Sequence, residues 1–168
     1  MTLNATVGAV DGNCYVTLAE ADAYFTNRMH SSAWEVISEQ EPFLISASQM
    51  LDWYVNWKGF KASDTQFMLW PRKGVIRRNG STVADDIIPN EVKTAVFELA
   101  FSSLESDRLL EDSMAGIEQL KVSSLVIKAS VGGADSTAKN VIPGKIYKIL
   151  SDLYTLGGGM SVVRLMRG

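Results

Sequence analysis

The sequence predicts a mainly α fold, a helical bundle with a β-hairpin or extended loop late in the chain and a C-terminal arm. Three observations predict it. Helix-start signals, a Ser or Thr followed three residues on by Glu or Gln, recur through the first half of the chain. After Gly116 the apolar period shortens, and "IEQLKVSSLVIKAS" is rich in Val, Ile and Leu with partial alternation. Finally, Gly157-Gly158-Gly159 stops the last helical pattern and leaves "MSVVRLMRG" outside any core. Residues 1–156 therefore read as one domain, and residues 157–168 as a glycine-rich hinge and arm.

Each element has its own reason. Thr17 and Glu20 form a capping box that opens a helix from Leu18 to about Met29. Ser32 with Glu35 repeats the spacing for a short helical turn. Ser38 with Glu41 opens a third helix through "EPFLISASQMLDWYVNW", where Pro42 is tolerated in the first turn and Gly59 is the stop. Ser63 and Gln66 predict a short helix over "FMLW", ended by Pro71. "VIRRNGSTVADDIIP" reads as loop or a loose hairpin turning at Asn79-Gly80.

Pro89 sits where a helix accepts its first residue, ahead of "NEVKTAVFELAFSSLES". That segment carries two apolar stripes. One is Val92, Ala95, Val96, Leu99 and Ala100; the other is Phe97, Phe101 and Leu104. A surface helix needs only one, so the second implies a central helix or one shared with another subunit. Ile117 to Ser130 reads as a β-hairpin or a long extended pair, with Ser123-Ser124 as the candidate bend, and "VGGADSTAKN" as a flexible loop. Pro143 opens a last helix with Ile146, Ile149, Leu150 and Leu153 on one face.

Composition bounds the function. A chain of 168 residues, 46% hydrophobic and 21% charged, buries roughly 70% of its unfolded surface as an ordinary globular domain. Its 16 basic residues are outnumbered by 19 acidic ones, which argues against a protein whose business is coating DNA. Cys14 is the only cysteine, so no internal disulfide forms, and a reducing compartment is expected. No apolar run approaches the roughly 18 residues of a membrane span, and "MTLNATVGAV" lacks a signal peptide's basic start.

Catalytic and metal chemistry is poorly supplied, and neither a cofactor nor an enzyme activity is expected. One Cys and one His cannot make a zinc site. Cys14 with His30 is a nucleophile–base pair only on paper, and a structural cysteine is the better reading. "GGADSTAKN" lacks the lysine ending of a phosphate loop, and Asp85-Asp86 reads as a solvated turn.

The stretch "LWPRKGVIRRNG" is the one candidate grip. Arg72, Lys73, Arg77 and Arg78 beside Trp70 have the residue types of a single-strand site. Against that, Trp70 follows an apolar run and precedes Pro71, as a core plug would, while Trp34, Trp53 and Trp57 lie at helical positions suited to packing. A structural loop is the favoured reading.

Taken in order, "NCYVTLAEADAYF", "WYVNWKGF", "QFMLWPRKGV" and "IPNEVKTAVFELA" resemble phage head–tail connector (adaptor, neck) proteins, often labelled DnaT-like single-stranded-DNA-binding proteins. The matching pieces include Tyr15-Val16, Ala19-Glu20-Ala21, Trp57, Gly59, Gln66, Trp70-Pro71-Arg72, Ile88-Pro89 and Glu98-Leu99-Ala100, and they span nearly the whole chain. The resemblance implies a virion protein of the head–tail junction, made in the host cytoplasm. It would form a ring of about twelve copies beneath the portal protein.

Such a ring would extend the channel for double-stranded DNA without binding it specifically, and would join the next neck or tail protein. On that reading Arg72, Arg77, Arg78, Phe97, Phe101 and Leu104 are expected at subunit interfaces, and Lys121 and Lys128 on a hairpin along the channel. Met160, Val162, Val163, Arg164, Leu165 and Arg167 are expected to form an arm that binds the portal or another partner. The alternative is a single-stranded-DNA-binding protein of replication.

Overall fold

A computed structural model of the chain describes residues 2–104, 108–109, 119–122, 125–128 and 141–155, the last two short strands as backbone only. It is mainly helical. Helices α1 (Leu18–Thr26), α2 (Ser32–Glu35), α3 (Glu41–Tyr54), α4 (Asn90–Ser102) and α5 (Gly144–Ile149) surround one core. Strands β1 (Phe60–Lys61) and β2 (Arg72–Lys73) pair antiparallel, as do β3 (Gln119–Val122) and β4 (Leu125–Lys128).

The capping box at Thr17 forms as expected: Thr17 Oγ1 accepts from the Glu20 amide at 3.2 Å, and Glu20 Oε2 accepts from the Thr17 amide at 2.9 Å. The helix ends earlier than its apolar pattern suggests. Asn27 Nδ2 donates to the Ala23 carbonyl and Thr26 Oγ1 to that of Asp22, so side chains compete for the last turn's acceptors. The next two boxes do not form. α2 and α3 start after Ser31 and Gln40, neither of which makes a side-chain cap. α3 also stops at Tyr54, where Val55 turns extended, well before Gly59.

Gly59 serves the sheet and not the helix. Its φ is +67°, and a Cβ there would lie 2.1 Å from the Lys73 carbonyl oxygen. Only glycine lets β1 approach β2 this closely.

The short helix expected at "FMLW" is absent. Gln66, buried, accepts from the Ser63 amide and donates to the Met68 and Pro71 carbonyls, so its amide holds acceptors that a helix would have used. Asn79-Gly80 does turn a loose hairpin, with the Arg77 amide donating to the Ser81 carbonyl and the Val83 amide to that of Val75. Pro89 and Pro143 sit one step outside their helices, at the cap positions.

α4 is the central helix. Val92, Ala95, Val96, Leu99 and Ala100 are wholly buried, and α3 and α5 both pack on it. Its second stripe, Phe97, Phe101 and Leu104, is largely covered within the chain. Phe97 is buried beneath the stacked ring of Tyr24, 4.8 Å between centroids, while Phe101 and Leu104 pack half-buried on the same core. The Arg28 guanidinium lies 4.1 Å over the Phe101 ring. Residues at the end of α1 supply the cover that an apolar count on α4 alone does not reveal.

A carboxylate clamps that end of the molecule. Glu98 accepts from Arg28 Nε at 2.6 Å and Tyr24 Oη at 2.8 Å through one oxygen, and from Lys145 Nζ at 2.8 Å through the other. α1, α4 and α5 are joined at one residue.

The late hairpin lies where the alternation places it. Val122 pairs with Leu125, Lys121 with Val126, Leu120 with Ile127, and Gln119 with Lys128. The bend at Ser123-Ser124, the loop at 131–140, the hinge at 157–159 and the arm residues Met160, Val162, Val163, Arg164, Leu165 and Arg167 lie outside the described residues.

Candidate functional site: a basic loop turned inward

The loop from Leu69 to Gly80 is positioned by buried groups. Leu69 donates its amide to Asp52 Oδ2 at 2.9 Å, and Trp70 donates its own to Tyr15 Oη at 3.2 Å. Tyr15 Oη in turn donates to Asp52 Oδ1, so α3, the N-terminal segment and the loop meet at one polar knot. Burial pushes the Asp52 carboxyl up to about 6, against the pull of its bonds from Tyr15 and Leu69. Burial, and then the charge of Asp52, push the Tyr15 hydroxyl well above its usual value.

Trp70 is fully buried and meets Trp57 edge to face at 5.6 Å. It is the core plug, and no base can stack on it. The indole nitrogen of Trp70 is buried without a hydrogen-bond partner among the described residues.

Arg72, expected at a subunit interface, turns its side chain inward. It is 8% exposed and donates to the carbonyls of Lys58 at 2.7 Å, Gly59 at 2.6 Å and Leu69 at 3.1 Å. A planar fork of five donors fits three carbonyls on two sides, where an ammonium would not. Arg77 and Arg78 are also engaged within the chain. Arg77 grips both oxygens of Glu91, and Arg78 Nε lies 3.1 Å from Asp152 while its NH2 donates to the Ser151 carbonyl. Of the loop's four cations only Lys73 has neither an acidic partner nor a hydrogen-bonded carbonyl among the described residues.

Beside the exposed Lys73 and Arg78, the loop and its surroundings leave apolar side chains outside. Phe60, paired with Lys73 across the β1–β2 ladder, is 65% exposed, and Phe67 and Ile76 are exposed as well. Trp53 is 64% exposed, contrary to the packed position its helix suggests. It stands on the rim of an open cleft of about 610 Å³ lined also by Asp52, Asn56, Trp57, Leu69 and Arg72.

The other sequence candidates are not drawn together into a site. Cys14 is buried, with its Sγ 3.4 Å from Ser48 Oγ, and burial pushes its thiol up, the reverse of what an activated nucleophile needs. His30, Asp85 and Asp86 are exposed, and no three His, Cys, Asp or Glu among the described residues could hold a metal ion.

Across its whole length, residues 1–168, the chain matches the model of a family described as "Putative DnaT-like ssDNA binding protein". The chain belongs to this family. No curated protein and no solved structure matches it. Within a DnaT-like protein the geometry above relocates any nucleic-acid contact. Trp70 and Arg72 are inaccessible to a strand, and Arg77 and Arg78 would have to leave Glu91 and Asp152 to take part.

Asp52 gives a pH prediction. Its folded value is raised above the ordinary carboxylate range, so the folded state holds the proton more tightly than the unfolded chain. Stability should be greatest near pH 4 on this account, fall as pH rises to about 6, and stay lower above that, by about 1–3 kcal/mol. Asp52→Asn should flatten that stretch of a thermal-melt profile and leave the protein at least as stable at pH 7. An unchanged slope between pH 4 and 6 would show that another group is titrating.

Proposed function

We propose that the chain is a structural virion protein of a tailed phage, a head-to-tail adaptor that forms a ring under the portal, extends the DNA channel and joins the next neck or tail component. One observation carries the reading: the basic loop, the best candidate for a nucleic-acid grip, spends its arginines on the chain's own carbonyls and carboxylates and hides its tryptophan. Also outside, beside Lys73 and Arg78, is a set of exposed apolar side chains, Trp53, Phe60, Phe67 and Ile76, suited to contact with other protein. The arm, Met160, Val162, Val163, Arg164, Leu165 and Arg167, is assigned to the portal. Double-stranded DNA passes through the lumen without specific contact.

Electron microscopy of the purified protein mixed with its portal tests this directly. Rings are expected on the portal face, and a monomer that ignores the portal would overturn the reading.

A second reading, a single-stranded-DNA-binding protein of replication, is supported by the family's description and by exposed Trp53 and Phe60 together with Lys73. It predicts a gel shift with oligo-dT that weakens steeply with salt and with Trp53→Ala. No shift at low salt removes it.

A further inference from the structure

We propose that the β3–β4 ribbon is an intersubunit element, its free edges closed by the ribbons of neighbouring copies into a continuous β collar around the channel. The inference rests on the adaptor reading and goes on to name the contact that closes the ring.

The ribbon is a sheet of two strands, four residues each, with no third strand among the described residues. A two-stranded hairpin is marginal in water by itself. Its register alternates apolar pairs, Leu120 with Ile127 and Val122 with Leu125, against pairs that contain Lys121 and Lys128. Among the described residues both outer edges present unpaired backbone groups, the template for another strand.

An identical ribbon is the occupant that uses both edges. β3 and β4 run in opposite directions, so the β4 edge of one copy can meet the β3 edge of the next antiparallel, and a rotation axis repeats the contact until it closes. About twelve ribbons supply about 24 strands, beyond the 16 or so at which barrels leave an aqueous channel.

The hairpin's own geometry picks the variant. Val122 and Leu125 flank a two-residue connection, the position of a hydrogen-bonded pair. The next pair, Lys121 with Val126, is then of the kind whose amides face away from the partner strand. Val126→Pro removes an outward donor and leaves the internal ladder intact, as edge positions tolerate.

The charge pattern adds an independent readout. Between Gln119 and Lys128 there are two lysines and no acid, so neighbouring ribbons repel, and assembly should strengthen with added salt. Nucleic-acid binding runs the other way.

The test uses full-length protein with its portal. Val126→Pro should melt like the parent yet need at least about tenfold more protein to form rings. In a Cys14→Ser background, Lys128→Cys protein mixed with single-cysteine variants at each of positions 119 to 122 should give disulfide-linked dimers in assembled rings, with yields alternating along β3.

If the parent forms rings while Val126→Pro assembles equally well and no cross-link joins two copies, the collar is wrong and the adaptor reading stands. Cross-links from the ribbon to the portal alone would also overturn it, making a portal strand the occupant. If the parent forms no rings on the portal, the adaptor reading fails first and takes the collar with it.

Discussion

Glu98→Ala is expected to lower stability by about 2–4 kcal/mol in chemical denaturation, the largest loss from any single carboxylate described. The residue is 9% exposed and receives donors from Arg28, Lys145 and Tyr24. Removing it strands two cations and a hydroxyl. A fully buried pair broken this way costs about 3–5 kcal/mol, and the loss is smaller here because the Lys145 side chain is 47% exposed.

The pH dependence separates this from a packing defect. Burial alone would raise the carboxyl, but the bonds from Arg28, Lys145 and Tyr24 outweigh it and hold Glu98 at about 2. Its contribution is therefore complete above about pH 4.5 and disappears as pH falls through 2. The variant should lose that acid-sensitive limb along with the stability. A loss under about 0.5 kcal/mol, or an acid limb that survives, would mean the cluster is solvated ornament.

Arg72→Ala should cost a similar amount, about 2–4 kcal/mol, because it strips donors from three carbonyls at once. Arg72→Lys should recover less than half. A single ammonium cannot span the Lys58 and Gly59 carbonyls on one side and that of Leu69 on the other. Matched melting of the three proteins would mean the guanidinium is an exposed charge after all. Any defect in ring assembly should track this loss of stability and not the missing charge, which distinguishes Arg72 from an interface cation.

These two residues mark the limit of what local pattern can disclose. Thr17 and Glu20 announce α1 because the capping exchange closes within four residues. The same spacing at Ser63 and Gln66 gives half of that exchange, the Ser63 amide donating to Gln66 Oε1, yet no helix follows, since Gln66 also reaches forward to Met68 and Pro71. Trp70 is recognisable as a plug because Pro71 follows an apolar run. The inward turn of Arg72 is not recognisable, because its acceptors lie 13 and 14 residues earlier and become neighbours only when β1 pairs with β2.

Phe97 and Phe101 announce an apolar face on α4, but only the fold brings Tyr24 and Arg28 over it. The β3–β4 pairing is legible because alternation is a local property and only two residues separate the strands, which leaves little choice of register. Exposure of Trp53 is hidden for the converse reason: its apolar ring sits at a helical position, and nothing nearby in the chain says which side faces water.

The way α4 and α5 lie together has a bearing on descent. The polypeptide departs at buried Ser102 and returns at wholly buried Ile142, between two helices that touch each other. The chain between residues 104 and 141 thus leaves and re-enters at one seam, with both of its ends held on the core. Lineages could lengthen, shorten or trade that insert to suit a new docking mate, and the scaffold beneath would not have to evolve with it.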